Sequence, residues 1–332
     1  MVVHSSGSYQ DGIAAADGMD GDETSAIHTR ARSMADGTHV HLSSPSRLAH
    51  VRSKLRELVW ETRFLARLGQ SWPERMSIAK LVAILYMARL MPFNTYRWET
   101  TILVRGAKYV VGVRTSEIFI FHEIYGALQY ERHPDFIPQS GWTVFDVGAN
   151  IGVFTLLQAT QGARVYSFEP NPESYNRLLR NVTANKLSER VRLFPTALGD
   201  ARVMGSLHVI DGGTTGGVVT QAKAGASVSG VAVPITTLDE VVSTMPGLSI
   251  DLLKIDAEGS EAAILRGGER TLDHVQRIIL EYHSRDLLHQ VREILTRKGF
   301  AQEMIVDYYA EDAATGQDEV GILYARRSDA IK

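Results

Sequence analysis

Residues 142–147 form a compact apolar run, Trp-Thr-Val-Phe-Asp-Val, that leads into the turn Asp146-Val-Gly-Ala-Asn-Ile-Gly152 and then, without a gap, into a helical pattern. Apolar runs this short, closed by a glycine turn, are the length of a buried strand. The helix predicted next covers 152–159, followed by a strand at Arg164–Phe168 and a helix over 173–187 with Pro172 near its first turn. Further strands are predicted at Val191–Phe194, 250–256 and Arg277–Tyr282, with helices at about 259–266 and 285–298. Strands alternating with helices predict parallel βαβ units and an α/β, Rossmann-like sheet. After Gly299, two strands at about 301–309 and 319–326 suit a closing antiparallel hairpin.

The segments before this rhythm read differently. Residues 1–44 are rich in Gly, Ser, Asp and Ala and bury too little apolar surface to offset ordering, so they read as a disordered tail. His39 and His41 within it read as unconstrained histidines, because a metal needs fixed ligand geometry. Residues 45–100 read as a helical extension or cap. Its first helix, 46–68, sets Leu48, Val51, Leu55, Leu58 and Val59 against a basic face of Arg52, Lys54, Arg56 and Arg63. A second is predicted over 77–90, stopped near Pro92.

The domain carrying the chemistry is expected to occupy 101–332. It opens with a hairpin around Gly106 and an amphipathic helix over 119–130. A Gly-, Ser- and Thr-rich insertion at about 201–237 reads as a flexible, lid-like loop.

Bulk properties narrow the chemistry. Cysteine is absent, which removes disulfides, thiolate nucleophiles and Cys-based zinc sites together, and suits a reducing cytoplasm. The net charge of −3 gives no electrostatic reason to expect nucleic acid as a partner. The most apolar early stretch, 81–91, is far shorter than the roughly 20 residues that span a bilayer, so no integral membrane segment is expected.

The turn itself suggests a ligand. Glycines let backbone approach a bound group, and the first N–H groups of the following helix point at it. About 20 positions on, the next strand ends in Phe168-Glu169-Pro170-Asn171-Pro172, where an acid suits the two hydroxyls of a ribose. Together the features specify a nucleoside-containing cofactor. A dinucleotide turn would read G-x-G-x-x-G, but here Gly148, Asn150 and Gly152 stand in sequence, so the middle glycine is missing. Asp146 at the strand tip would repel a pyrophosphate and pair with an amino-acid ammonium. Both differences favour S-adenosylmethionine over NAD.

The order D-V-G-A-N-I-G, F-E-P-N-P, N-V-T-A-N, A-L-G-D, T-L-D, L-L-K-I-D-A-E-G-S-E and I-I-L-E-Y-H resembles the FkbM family of methyltransferases over about residues 110–305. The run from Leu252 to Glu261 is the most diagnostic part. The resemblance implies a seven-stranded methyltransferase sheet whose last strand is antiparallel. It also implies methyl transfer to a hydroxyl oxygen of a small acceptor such as a sugar or polyketide. By position, Asp146, Gly148, Asn150 and Gly152 resemble the cofactor turn and Glu169 the ribose ligand. Asn171 is expected at the ribose or adenine edge, Thr196 and Ala197 at the adenine ring, and Asp256 beside the methionine moiety and the acceptor.

Such a transfer needs an acceptor oxygen held in line and relieved of its proton. Asp256, Glu258 and His283 are the expected catalytic residues, with Glu261 a turn further on and histidine suited to base duty near neutral pH. Asp256, Glu258 and Glu281 are an alternative set for a magnesium ion, which the spacing does not demand. Lys254 is expected to pair with Asp146 or Glu281 in a structural role. Two competing functions remain open, an NAD-dependent oxidoreductase on the same sheet and a non-catalytic cofactor-binding scaffold. The apolar helices before the core leave room for a homodimer.

Overall fold

The computed structural model describes residues 62–63, 68–90, 99–112, 120–126, 128–209, 217–221, 230–309 and 320–328. The expected tail at 1–44 lies outside the described residues, as does the basic helix at 46–68 apart from positions 62, 63 and 68. The fold divides into two compact units, one within residues 7–127 and one within 128–332. By compactness the first hairpin groups with the N-terminal helix.

The N-terminal unit holds α1 (Trp72–Leu90), β1 (Glu99–Val104), β2 (Ala107–Gly112) and a short π-helix, His122–Gly126. Helix α1 starts five residues earlier than its apolar pattern suggested, because Glu74 caps it. The Glu74 carboxylate accepts from the backbone N–H groups of Gln70 and Ser71 at 2.7 and 2.9 Å. Its other oxygen accepts from Gly106 N–H at 2.8 Å, which joins the helix start to the hairpin turn. Of the amphipathic helix expected at 119–130, the described part is helical from 120 and ends in the π-turn, and residues 128–130 lie beyond it. Buried Phe121, Ile124 and Tyr125 decide its packing, and the Tyr125 hydroxyl bonds the Tyr109 hydroxyl at 2.5 Å.

In the larger unit the alternation holds. It runs β3 (Thr143–Val147), α2 (Val153–Thr160), β4 (Arg164–Phe168), α3 (Pro172–Ala184), β5 (Val191–Phe194), β6 (Ala197–Leu198), β7 (Val203–Val209), β8 (Gly217–Gln221) and β9 (Val231–Thr236). Then come α4 (Leu238–Ser243), β10 (Leu252–Ile255), α5 (Glu261–Arg266), β11 (Arg277–Tyr282), α6 (Arg285–Arg297), β12 (Phe300–Tyr309) and β13 (Val320–Arg327). The main sheet has the order β12-β13-β11-β10-β3-β4-β5. Its five strands β11 to β5 run parallel, while β13 pairs antiparallel with both β11 and β12.

Apolar residues fill the centre, since β10 is buried along its whole length and β11 over most of it. Strands covered on both faces have no solvated side, which is why they read as continuous apolar runs and not as alternating ones. Strand order reverses between β3 and β10, and ligands of such sheets sit outside the carboxyl ends of the strands at that point.

The insertion expected to be a flexible loop is in large part a second sheet, ordered β6-β9-β7-β8. Its inward residues Leu207, Val233 and Ile235 are buried, so a small apolar face holds it together. Among the described residues no helix is long and apolar enough to cross a membrane.

Candidate active site

The turn after β3 is stitched to the end of β4. Gly148 and Ala149 donate their N–H groups to the carbonyl of Phe168 at 3.1 and 3.0 Å. Asn150 adopts φ 50° in the left-handed region, and its N–H donates to Glu169 Oε2 at 2.8 Å. The other carboxylate oxygen of Glu169 accepts from Asn171 N–H at 2.8 Å. One carboxylate thus ties the turn to the start of α3. Burial pushes its pKa up to about 7, against the pull of those two bonds and of the Lys254 charge.

Each oxygen of Glu169 keeps a further acceptor site after taking one backbone N–H. The side-chain oxygen of Asn150 is buried and has no hydrogen-bond partner among the described residues. Buried polar atoms are rarely left so, and this orphan leaves an acceptor in the turn for a donor from water or a ligand. The residues present therefore fit a ribose-bearing group.

The glycines serve packing more than ligand approach. A Cβ on Gly148, at φ 78°, would lie 1.7 Å from the backbone oxygen of Asp256. One on Gly152, at φ 90°, would lie 2.3 Å from Leu178 Cδ1 on α3. The first contact presses the turn against the end of β10, and so brings the ligand turn and the acidic residues together.

Asp146 sits within β3, beneath the turn. It is fully buried, accepts from Thr155 Oγ1 at 2.6 Å, and lies 3.2 Å from Lys254 Nζ. Its charge lies inside the core, where it holds Lys254. Lys254 also donates to the Gly148 carbonyl at 3.1 Å and lies 3.5 Å from Asp256. Burial works against its charge, but Asp146 and Asp256 outweigh that and hold the ammonium well above the ordinary lysine range. Of the two partners expected for Lys254, the structure selects Asp146.

Three other expected contacts are occupied locally. Asn171 caps α3 by accepting from Glu173 N–H at 3.0 Å. The Thr196 hydroxyl donates toward the Pro234 carbonyl at 2.9 Å, and Ala197 pairs with Ile235 in the second sheet. These two seat β6 against β9.

The ends of β10 and β11 gather the remaining groups. His283 Nδ1 lies 2.8 Å from Glu261 Oε1, and its Nε2 lies 3.4 Å from Glu258 and 3.9 Å from Glu281. Burial disfavours the imidazolium, but the Glu261 hydrogen bond and the charges of Glu261, Glu281 and Glu258 prevail and push its pKa up to about 10. That shift favours the imidazolium over the neutral base expected near pH 7. Burial and the neighbouring Asp256 charge push Glu281 up to about 8. Burial also raises Glu258.

Two residues unforeseen in the sequence join the cluster. Gln129 Nε2 donates to Glu281 at 2.8 Å, and the Tyr130 hydroxyl lies 3.1 Å from Asp256 Oδ2 and 3.2 Å from Glu281 Oε2. No local signal points to them, since their partners lie far along the chain. By contrast, the cleft lined by Asp239, Met245, Arg270 and His274 lies at the amino ends of β10 and β11. Its acid is already taken by Arg270 and Thr271, so it does not compete as the site.

A mostly parallel α/β sheet thus gathers these polar groups at its carboxyl strand ends. Residues 146–301 match the methyltransferase FkbM domain. The 31-O-demethyl-FK506 methyltransferase FkbM of Streptomyces tacrolimicus is 30% identical over 232 residues, covering 61% of this chain and 88% of that protein. Hexuronic acid methyltransferase AglP of Haloferax volcanii is 26% identical over 180 residues, 52% of this chain and 70% of that protein. The 2-O-methyltransferase NoeI of Sinorhizobium fredii is 26% identical over 197 residues, 54% of this chain and 76% of that protein. The chain belongs to the FkbM family of methyltransferases.

Proposed function

We propose that this methyltransferase takes its methyl group from S-adenosylmethionine and delivers it to a hydroxyl oxygen of a small metabolite, a sugar, polyketide or other natural product. The observation that carries the reading is the pairing of Asn150 and Glu169. An unpartnered buried amide oxygen stands beside a buried carboxylate, at the carboxyl ends of two adjacent parallel strands. A ribose diol brings two donors, and Glu169 has one remaining acceptor site on each oxygen.

When bound, S-adenosylmethionine supplies an electrophilic methyl on a sulfonium. The chain's own work is then to align an acceptor oxygen and take up its proton. Glu258 suits the proton. Its side chain is 40% exposed, its carboxyl is raised above the ordinary range, and His283 stands behind it as an imidazolium. Asp256, fixed by Lys254 and the Tyr130 hydroxyl, orients the acceptor hydroxyl. The relatives named for 31-O-demethyl-FK506 and a 2-O position support oxygen as the acceptor atom.

Thermal unfolding with S-adenosylhomocysteine and with NAD separates the two cofactor readings, and only the first ligand should raise the midpoint. Methyl-labelled S-adenosylmethionine should then label a hydroxylated acceptor from a panel of hexuronic acids and O-demethyl polyketides. Stabilisation by NAD alone would overturn the proposal.

A further inference from the structure

We propose that the loop after β10 and the end of β11 bind one divalent first-row cation of the manganese(II) or iron(II) kind, held by Asp256, Glu258 and Nε2 of His283. The purpose of the cation rests on the methyltransferase reading above, but its binding does not.

One oxygen from each of Asp256 and Glu258 and one ring nitrogen of His283 lie within 4.8 Å of one another. They come from three separate points of the backbone: the residue after β10, a left-handed residue at φ 49° in the following loop, and the residue after β11. Bonds of about 2.1 Å set neighbouring donors roughly 3 Å apart in an octahedral shell, so a cation draws the three inward. Glu258, the most exposed of them, is free to follow.

The second observation is how His283 is held. Its Nδ1 faces Glu261 Oε1 at 2.8 Å, and that carboxylate is fully buried and anchored by Gly259 N–H at 3.0 Å. Metal-bound histidines characteristically give their other ring N–H to a carboxylate, which fixes the tautomer and aims the free nitrogen. Here it leaves Nε2 aimed at Glu258 and Glu281, and a bound ion would take the place of the Nε2 proton, which is released. Glu261 Oε2 is itself buried without a hydrogen-bond partner among the described residues.

Charge is the third. Among the described residues, Asp256, Glu258, Glu261 and Glu281 gather around His283, and the nearby Lys254 is already shared with Asp146. Partly buried carboxylates in excess of cations carry a desolvation cost that a divalent ion removes. Two carboxylates and an imidazole suit manganese(II) or iron(II) better than magnesium, which favours oxygen and water throughout. Three protein donors leave positions open for an acceptor oxygen, whose proton a bound ion would make easier to lose, so Glu258 serves as ligand in the loaded protein and as proton acceptor only without the ion.

The full-length chain, stripped with a chelator, is titrated with Mn2+ while electron paramagnetic resonance follows the free ion. The expected result is one ion bound per chain, with electron spin-echo modulation from one imidazole nitrogen. Glu258→Gln, at a partly exposed position, should weaken binding by about tenfold or more. An undiminished free Mn2+ signal, a bound ion without nitrogen modulation, or unchanged affinity in Glu258→Gln overturns the site. Affinity for S-adenosylhomocysteine in the presence of chelator is measured separately. Its absence would remove the methyltransferase reading while leaving a bound Mn2+ as evidence for the cation site.

Discussion

Lys254 Nζ lies 3.2 Å from Asp146 Oδ1 with both side chains sealed from solvent, and the pair joins the carboxyl ends of β10 and β3 beneath the ligand turn. Removing one member leaves a lone buried charge, which costs roughly 3–5 kcal/mol. Lys254→Met should therefore lower the unfolding midpoint on the order of 10 °C in a domain of this size. The double substitution Asp146→Leu with Lys254→Met should recover much of that loss, because the sealed charge is gone and Asp256, which also loses its lysine, is partly exposed. Thermal unfolding of the single and double variants checks it, and independent, additive effects would refute the coupling.

Glu169→Gln keeps a side-chain oxygen for one of the two backbone N–H groups now bound, so the fold should survive with a small loss. It loses the charge that a ribose diol would meet. Hydrogen bonds to charged groups contribute about 1.5–3 kcal/mol, and calorimetry should show S-adenosylhomocysteine binding about 10- to 100-fold more weakly. Unchanged affinity would remove Glu169 from the ribose contact.

The same carboxylate sets a pH dependence. Its pKa rises from 4.5 to about 7 on folding, so its contribution to the stability of the free chain is full below about 4.5 and is lost as pH rises through about 7. Diol binding favours the ionised form and should run the other way. Affinity for S-adenosylhomocysteine should increase about tenfold between roughly pH 6 and 8, as the ionised fraction grows. Glu169→Gln should flatten this part of the profile, and titrations across that range in both proteins check it.

Much of the architecture is written locally. The β3 run, the turn and the acid ending β4 are adjacent in sequence, so their contacts follow from the strand-turn-helix unit itself. The gathering of Glu258, Glu281 and His283 follows from placing two strand ends side by side. That Lys254 takes Asp146 and not Glu281 was not legible, because the choice between its two expected partners depends on packing across β10. Tyr130 was hidden for a similar reason, since its partner Asp256 lies 126 residues away. The second sheet had a signal in Val231–Thr236, where buried Val233 and Ile235 alternate with exposed neighbours, but a glycine-rich composition outweighed it. Helix α4 had one too. Thr237 accepts from Glu240 N–H at 3.1 Å, and the Thr237-Leu-Asp-Glu240 spacing is that of a capping box.

The two glycines of the turn should differ sharply when replaced by alanine. Both have positive φ, which costs an alanine about 1–2 kcal/mol. At Gly152 the added methyl meets the tip of Leu178, a side chain that can rotate away. At Gly148 it meets the backbone oxygen of Asp256 at 1.7 Å, and that backbone is pinned by Asp256 N–H donating to the Val147 carbonyl at 3.0 Å. Relief there means prying β10 from β3 and moving Asp256 with it. Gly152→Ala should unfold a few degrees early and still bind S-adenosylhomocysteine. Gly148→Ala should be insoluble, or should unfold on the order of 10 °C early with its methyl transfer abolished. Equal effects at the two positions would show that the turn yields where the packing says it cannot.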